Sequence, residues 1–240
     1  MASCSIFIPA YNAARTLPEV VARFPDELWG RLVAVHVIDD GSTDDTQAVV
    51  KALAAEHPKL HVTPHRPNRG YGFTVREGIR RCVEAGGDYI VCLHADGQYP
   101  PEKIAQFTDH MAERGLDLLQ GSRHKDGTAL AGGMPRYKWL AGRMLTWLEN
   151  RAFGLAMTDY HSGFMLYSRK AAQGLPFDRL SGYFEFDLEV IACARARGLA
   201  IGELGIPTRY AGEASHLGPI RYGLRCLRVM ARYRLGRYDP

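Results

Sequence analysis

VAVHVIDDGSTDDT (Val33–Thr46) is the stretch that decides the fold class. Its first part, Val33 to Ile38, is a β-branched run of strand length; its second is built from Asp, Gly, Ser and Thr, which end strands and open helices. Ser42 or Thr43 is then the expected cap of a helix in which Ala48, Val49, Ala52 and Leu53 recur at helical spacing up to His57. Strand, polar turn and helix make the unit of an α/β layer architecture, and the same unit recurs on both sides of this one.

Upstream, CSIFI (Cys4–Ile8) is a strand, and Thr16 with Glu19 has capping-box spacing, with Pro18 in the first turn of a helix that ends before Trp29. Downstream come a short strand at Leu60–Thr63, a helix from about Phe73 to Ala85 behind a glycine-punctuated entry, and a strand at Tyr89–Leu93. Pro100 and Pro101 start another helix, and Leu116–Ser122 returns as a strand. Beyond Ser122 the alternation loosens into a Gly-rich loop (Lys125–Gly133), a helix from Tyr137 to Phe153, a strand at Phe164–Tyr167 and a helix around Asp187–Arg197. Strands near Ile201–Leu204 and Ile206–Tyr210 precede a basic helix from Ile220 to Leu235. With 240 residues and no repeat or low-complexity linker, these elements predict one α/β domain with a mostly parallel central sheet and flanking helices. A nucleotide-binding half (1–123) and an acceptor-side half (124–240), ending in an amphipathic helix, share its core.

Hydrophobic residues at 46% and charged residues at 23% are ordinary globular values. The five cysteines are scattered without a CxxC pair and read as reduced, mostly buried thiols; the short-range Cys and His clustering of a structural zinc site is missing. No basic segment followed by a long apolar run opens the chain, and no run approaches the roughly 18 apolar residues of a membrane span, so a cytoplasmic protein is expected. Net charge is +4, with Arg221, Arg225, Arg228, Arg232, Arg234 and Arg237 gathered at the C-terminal end. No nucleic-acid-binding motif accompanies them, and no nucleic-acid partner is expected. In the last helix Ile220, Leu224, Leu227, Met230 and Ala231 read as one side and the arginines as another. Either that arginine row rests on an anionic membrane, at its inner face, or the helix docks on the domain with its charged face solvated.

Parallel α/β sheets bind ligands outside the carboxyl ends of their strands. Three such endings are polar here, Pro9-Ala10-Tyr11-Asn12, Asp39-Asp40-Gly41-Ser42 and His94-Ala95-Asp96-Gly97-Gln98, and they converge on one cleft. Asp39 can accept hydrogen bonds from a base edge or a ribose, with Pro9 and Tyr11 walling the base. Read structurally, Asp39 and Asp40 make a turn with Asx bonds before a capped helix. Asp96 and Gln98, at alternate positions of an extended segment, offer oxygen ligands to one side and suit a hard cation.

IPAYN, VIDDGSTDDT and LHADGQYPP, in that order, resemble glycosyltransferase family 2, and essentially the whole chain is similar to its dolichyl-phosphate mannose synthase-like branch. The resemblance implies a GT-A fold and an inverting transfer of sugar from a nucleotide-diphosphate donor, a UDP- or GDP-sugar. It also implies a divalent metal, Mn2+ or Mg2+, that stabilises the departing diphosphate as a Lewis acid. On this reading Pro9, Tyr11, Asn12, Asp39 and Asp40 hold the nucleotide; Asn68, Arg69 and Gly70 contact the donor; and His94, Ala95 and Asp96 continue the donor site. Asp96, Gln98 and His216 are the metal set. His94 stands where the family usually has aspartate, and either ligates manganese or touches the ribose. Arg123, in Gly121-Ser122-Arg123, points to the cleft or to a structural carboxylate. Asp159, in Asp159-Tyr160-His161-Ser162-Gly163-Phe164, lines the sugar pocket, and Arg209 closes over the diphosphate. Asp187 is the expected base and Glu185 its substitute; the helix dipole is expected to stabilise the Asp187 anion and lower its pKa. The acceptor is read first as a hydroxyl of a glycan, glycolipid or small metabolite, and second as a polyprenyl phosphate, which is already ionised and needs no base. A non-catalytic nucleotide-sugar-binding protein is the reading from another class.

Overall fold

The computed structural model describes residues 2–127, 129–207 and 218–238. Among them seven strands form one sheet: β1 (Cys4–Ala10), β2 (Leu32–Asp40), β3 (Leu60–His65), β4 (Tyr89–Cys92), β5 (Leu118–Ser122), β6 (Met165–Ser168) and β7 (Ile201–Gly205). Their order is β3-β2-β1-β4-β6-β5-β7, and every pairing is parallel except those of β6, which runs antiparallel to both β4 and β5. The continuous apolar runs of β1 and β2 follow from burial on both faces. Phe7 joins one core with α4 (Tyr71–Ala85), α6 (Arg136–Phe153), α7 (Arg169–Gly174), α8 (Phe186–Ala196) and α9 (Pro219–Arg234). Ile6 and Ile8 join the other, with α1 (Leu17–Ala22), α2 (Asp26–Arg31), α3 (Thr46–Glu56) and α5 (Ile104–Arg114). The fold is thus the expected α/β domain, and β6, from beyond residue 123, sits between β4 and β5.

Several elements differ from expectation. The helix expected from Thr16 is two, α1 and α2, parted by Pro25; Thr16 already has helical backbone angles, so its hydroxyl forms no cap. Neither Ser42 nor Thr43 caps α3. Asp45 holds that position, while Ser42 Oγ accepts the Asn12 amide at 2.9 Å. The short helix α7 was hidden in an uninformative stretch, though Ser168 caps it by accepting from Ala171 N. Ile206 donates to Ser122 O at 2.9 Å without extending a strand, and Thr208–Tyr210 lie outside the described residues.

The last helix is turned over relative to expectation. Ile220, Leu224 and Leu227 are exposed, while Cys226, Val229 and Met230 face the core. Arg225 and Arg232 point inward because α8 and its first turn present buried carboxylates: Arg225 meets Glu185 at 3.1 Å and Arg232 meets Glu189 at 2.7 Å. No helix among the described residues is long and apolar enough to cross a membrane.

Candidate active site

The parallel strands β1, β2, β4 and β5 end at one edge of the sheet, and antiparallel β6 begins there. The loop before β6 therefore joins four strand endings around a cleft of about 810 Å³. Pro9, Tyr11, Asn12, Asp40, Asn68 and Gly70 line it, as do His94, Ala95, Asp96, Gln98, Arg123 and Asp187. The register that sets Ala10 beside Asp39 brings the ends of β1 and β2 together. Asn12 locks them there: its backbone is left-handed (φ 52°), and its Oδ1 accepts the Thr43 amide at 2.8 Å.

Asp39, Arg69, Asp159 and Glu185 do not line the cleft. Asp39 is fully buried and spends its two oxygens on the turn, accepting from Ser42 N at 3.0 Å and Gln47 Nε2 at 2.8 Å. Asp40 lines the cleft, but its oxygens accept the amides of Arg69 (2.8 Å) and Gly70 (2.9 Å) and so fix the mouth of α4. Gly70 adopts φ +92° to present that amide, a backbone region closed to most residues. The exposed Arg69 guanidinium lies over the Phe73 ring. Glu185 accepts from Ser181 Oγ at 2.7 Å and pairs with Arg225, so both its oxygens are committed away from the cleft. Arg209 and His216 lie outside the described residues.

Both readings of Arg123 hold at once. It lines the cleft, and Asp159 braces it from beneath, Nε to Oδ2 at 3.0 Å. Burial opposes ionisation of Asp159, but the guanidinium outweighs it and brings the carboxyl down to about 2. Asp159 therefore supports Arg123 and does not itself line the cleft.

Asp96 sits on a turn rather than in the expected extended segment, with its Oδ1 accepting the Gln98 amide at 3.0 Å. Both still line the cleft, and a half-buried carboxylate beside a carboxamide is an oxygen donor set that fits a hard divalent cation. Burial holds the His94 imidazole below its ordinary pKa, with Arg123 adding to this and the Asp96 charge opposing it. Its Nε2 lies 3.2 Å from the Tyr71 hydroxyl. That hydroxyl donates in turn to Asp187 Oδ2 at 2.7 Å.

Asp187 reverses one expectation. Burial pushes its carboxyl up to about 7, outweighing the Tyr71 hydrogen bond, and its Oδ1 is buried without a hydrogen-bond partner among the described residues. A carboxyl poised near neutrality in a cleft can take a proton from an acceptor.

Sequence reasoning passed over Tyr71, Tyr99, Lys138, His161, Gly163 and Tyr222, all of which line the cleft. Tyr71 was legible only as part of a glycine pattern. Tyr99 OH accepts the Gly163 amide at 2.8 Å, and a Cβ on Gly163 would lie 2.5 Å from the His94 ring. His161 is followed in the sequence by Ser-Gly-Phe, but its partner Tyr222, 3.0 Å from its Nδ1, is brought in by α9.

A sheet of this order with a polar cleft at its strand ends defines the class as a GT-A glycosyltransferase fold. Residues 5–175 match the model of Glycosyl transferase family 2, and the chain belongs to that family. It is similar to the UDP-N-acetylglucosamine–dolichyl-phosphate N-acetylglucosaminyltransferase of Methanococcus voltae, 27% identical over 85% of each chain. It is also similar to the undecaprenyl-phosphate mannosyltransferase of Micrococcus luteus, 28% identical over 95% of this chain and 97% of that one. Among solved structures, glucosyl-3-phosphoglycerate synthase of Mycobacterium tuberculosis covers the whole chain and 82% of its own, at 20% identity and a TM-score of 0.71. The same enzyme with Mn2+, uridine diphosphate and phosphoglyceric acid gives a TM-score of 0.68, at 20% identity over all of this chain and 80% of that one. At that identity the likeness is one of fold.

Proposed function

We propose that this chain is an inverting, divalent-metal-dependent glycosyltransferase that moves a sugar from a nucleotide-diphosphate donor to a polyprenyl phosphate at a membrane surface. Its main support is the cleft wall where Arg123 and Lys138 place positive charge beside α6 and α9. Those helices pack together, and their outer faces expose Tyr137, Leu140, Met144 and Trp147 on one and Ile220, Leu224 and Leu227 on the other. Exposed Arg136, Arg143, Arg221 and Arg228 flank this apolar surface, a composition suited to anionic lipid. A lipid phosphate can enter the cationic wall while its chain leaves over the apolar face. The relatives' polyprenyl-phosphate acceptors agree with this reading.

Pro9, Tyr11 and Asn12 wall the nucleotide, and Asp40 fixes the loop that brings Asn68 and Gly70 to it. Asp96, with Gln98 and His216, would hold Mn2+ or Mg2+, which when bound supplies Lewis acidity to the leaving diphosphate. Arg123, held by Asp159, orients the attacking phosphate opposite that leaving group.

Asp187 favours a second reading, transfer to a hydroxyl, because a buried carboxyl with one oxygen unpaired among the described residues suits a base and an ionised phosphate needs none. The two separate in one assay. Wild type and Asp187→Asn are given UDP- and GDP-sugars, Mn2+ and either undecaprenyl phosphate or a panel of hydroxyl acceptors. Transfer to the lipid phosphate that survives in Asp187→Asn is expected. Transfer to hydroxyl acceptors alone, abolished in the variant, would reverse the choice, and no transfer to either acceptor class would reject both.

A further inference from the structure

Glu149 of α6, His161 of the loop before β6 and Cys226 of α9 come from three separate segments. Their ligand-type atoms all lie within 4.8 Å of one another. Glu149 is wholly buried, and among the described residues neither of its carboxylate oxygens has a hydrogen-bond partner; nor has His161 Nε2, which lies 3.3 Å from Glu149 Oε2. Cys226 is wholly buried beside them. The opposite ring nitrogen, Nδ1, is held 3.0 Å from the Tyr222 hydroxyl, which turns Nε2 toward the carboxylate. A buried carboxylate without hydrogen bonds costs several kcal/mol unless positive charge completes it. An imidazolium at His161 serves only one of the two oxygens.

We propose that Glu149, His161 and Cys226 form a site for a borderline divalent cation of the zinc type, separate from the oxygen-donor site at Asp96. The donor set decides the metal: one sulfur, one imidazole nitrogen and one carboxylate favour zinc, whereas Asp96 and Gln98 offer oxygen alone and favour Mg2+ or Mn2+. Charge agrees, since a thiolate, a carboxylate and a neutral imidazole sum with a dication to zero, which a buried site tolerates. On binding, the Cys226 S–H bond breaks and His161 Nε2 gives up any proton it carries; these protons leave to solvent as the sulfur–metal and nitrogen–metal bonds form. Tyr222 on Nδ1 is the kind of outer partner that fixes the orientation of a ligating imidazole. The ion ties α9 to α6 and to the loop carrying His161. Because His161 and Tyr222 also line the cleft, the staple sets the position of one cleft wall. The spacing of positions 149, 161 and 226 contains no short-range pair, so only the fold assembles the set.

The test uses the full chain, stripped with a chelator and titrated with Co2+ alone and then with Zn2+. The expected result is one tight equivalent with a thiolate-to-cobalt charge-transfer band, displaced by Zn2+. The band is kept in Asp96→Asn, lost in Cys226→Ser, and accompanied by an affinity loss of roughly 10–100-fold in Tyr222→Phe. A wild-type protein with no thiolate band overturns the proposal whatever the variants do, as does a band that survives in folded Cys226→Ser.

Discussion

At Asp187 a helix start, which favours a carboxylate, meets burial, which opposes it, and burial wins: the pKa rises from 3.8 to about 7. Between those two values the unfolded chain gives up a proton that the folded chain keeps, so this residue costs stability as pH rises through that window. Asp187→Asn removes the cost. Its Tm is expected to exceed that of wild type by a few degrees at about pH 8 and to match it near pH 3.5, by calorimetry; equal Tm at both would mean the carboxyl is not held protonated. Gly163 carries a different constraint. A methyl group there would lie 2.5 Å from two atoms of the His94 ring, so Gly163→Ala must move His94 off Tyr71. A fall in kcat/KM on the order of 10²-fold is expected, since small displacements of catalytic groups have such effects; unchanged kinetics would detach His94 from the donor site. The sequence marked the cleft's neighbourhood through Asp40, Asp96 and Asp187 but not the division of labour within it. Asp39 and Asp159 are as polar as their neighbours on paper, yet each is consumed by a partner, Gln47 or Arg123, whose approach depends on the folded chain.

The period of α9 was readable as helical, but not which side turns inward. Ile220, Leu224 and Leu227 follow the spacing of a core stripe; their exposure results from Glu185 and Glu189, which draw Arg225 and Arg232 to the inner side. In the same way the α1–α2 break at Pro25 and the helix α7 depend on local geometry that propensity resolves poorly. Strands β1 and β4 were among the most legible elements, because burial on both faces writes them as nearly unbroken apolar runs. If the outer surface of α6 and α9 meets lipid, Trp147→Glu combined with Leu224→Glu should cut binding to phosphatidylglycerol vesicles by about tenfold or more, measured by co-sedimentation. Tm should stay within a degree or so, since Trp147 is 61% and Leu224 62% exposed. Undiminished vesicle binding would move the contact elsewhere.

At the scale of the whole molecule, the cleft draws on five strand ends, so a ligand bound there is coupled to global unfolding. UDP or GDP with Mn2+, at about 100 times its Kd, is expected to stabilise the chain by about 2.7 kcal/mol. The shift should vanish with excess chelator and be largely lost in Asp96→Asn, as read by thermal melting; a nucleotide shift indifferent to both would remove the metal from donor binding. The position of β6 has a consequence for synthesis. Both neighbours of β5, β6 and β7, are translated after it, and β4 gains its second partner only when β6 emerges. A nascent chain that has released β5 but not yet β6 carries a strand destined for full burial with no ladder to join and an open edge on β4. Ribosome pausing between β5 and β6 is therefore the interval in which this protein most depends on a chaperone, and slow codons there would lower its yield more than the same codons after β7.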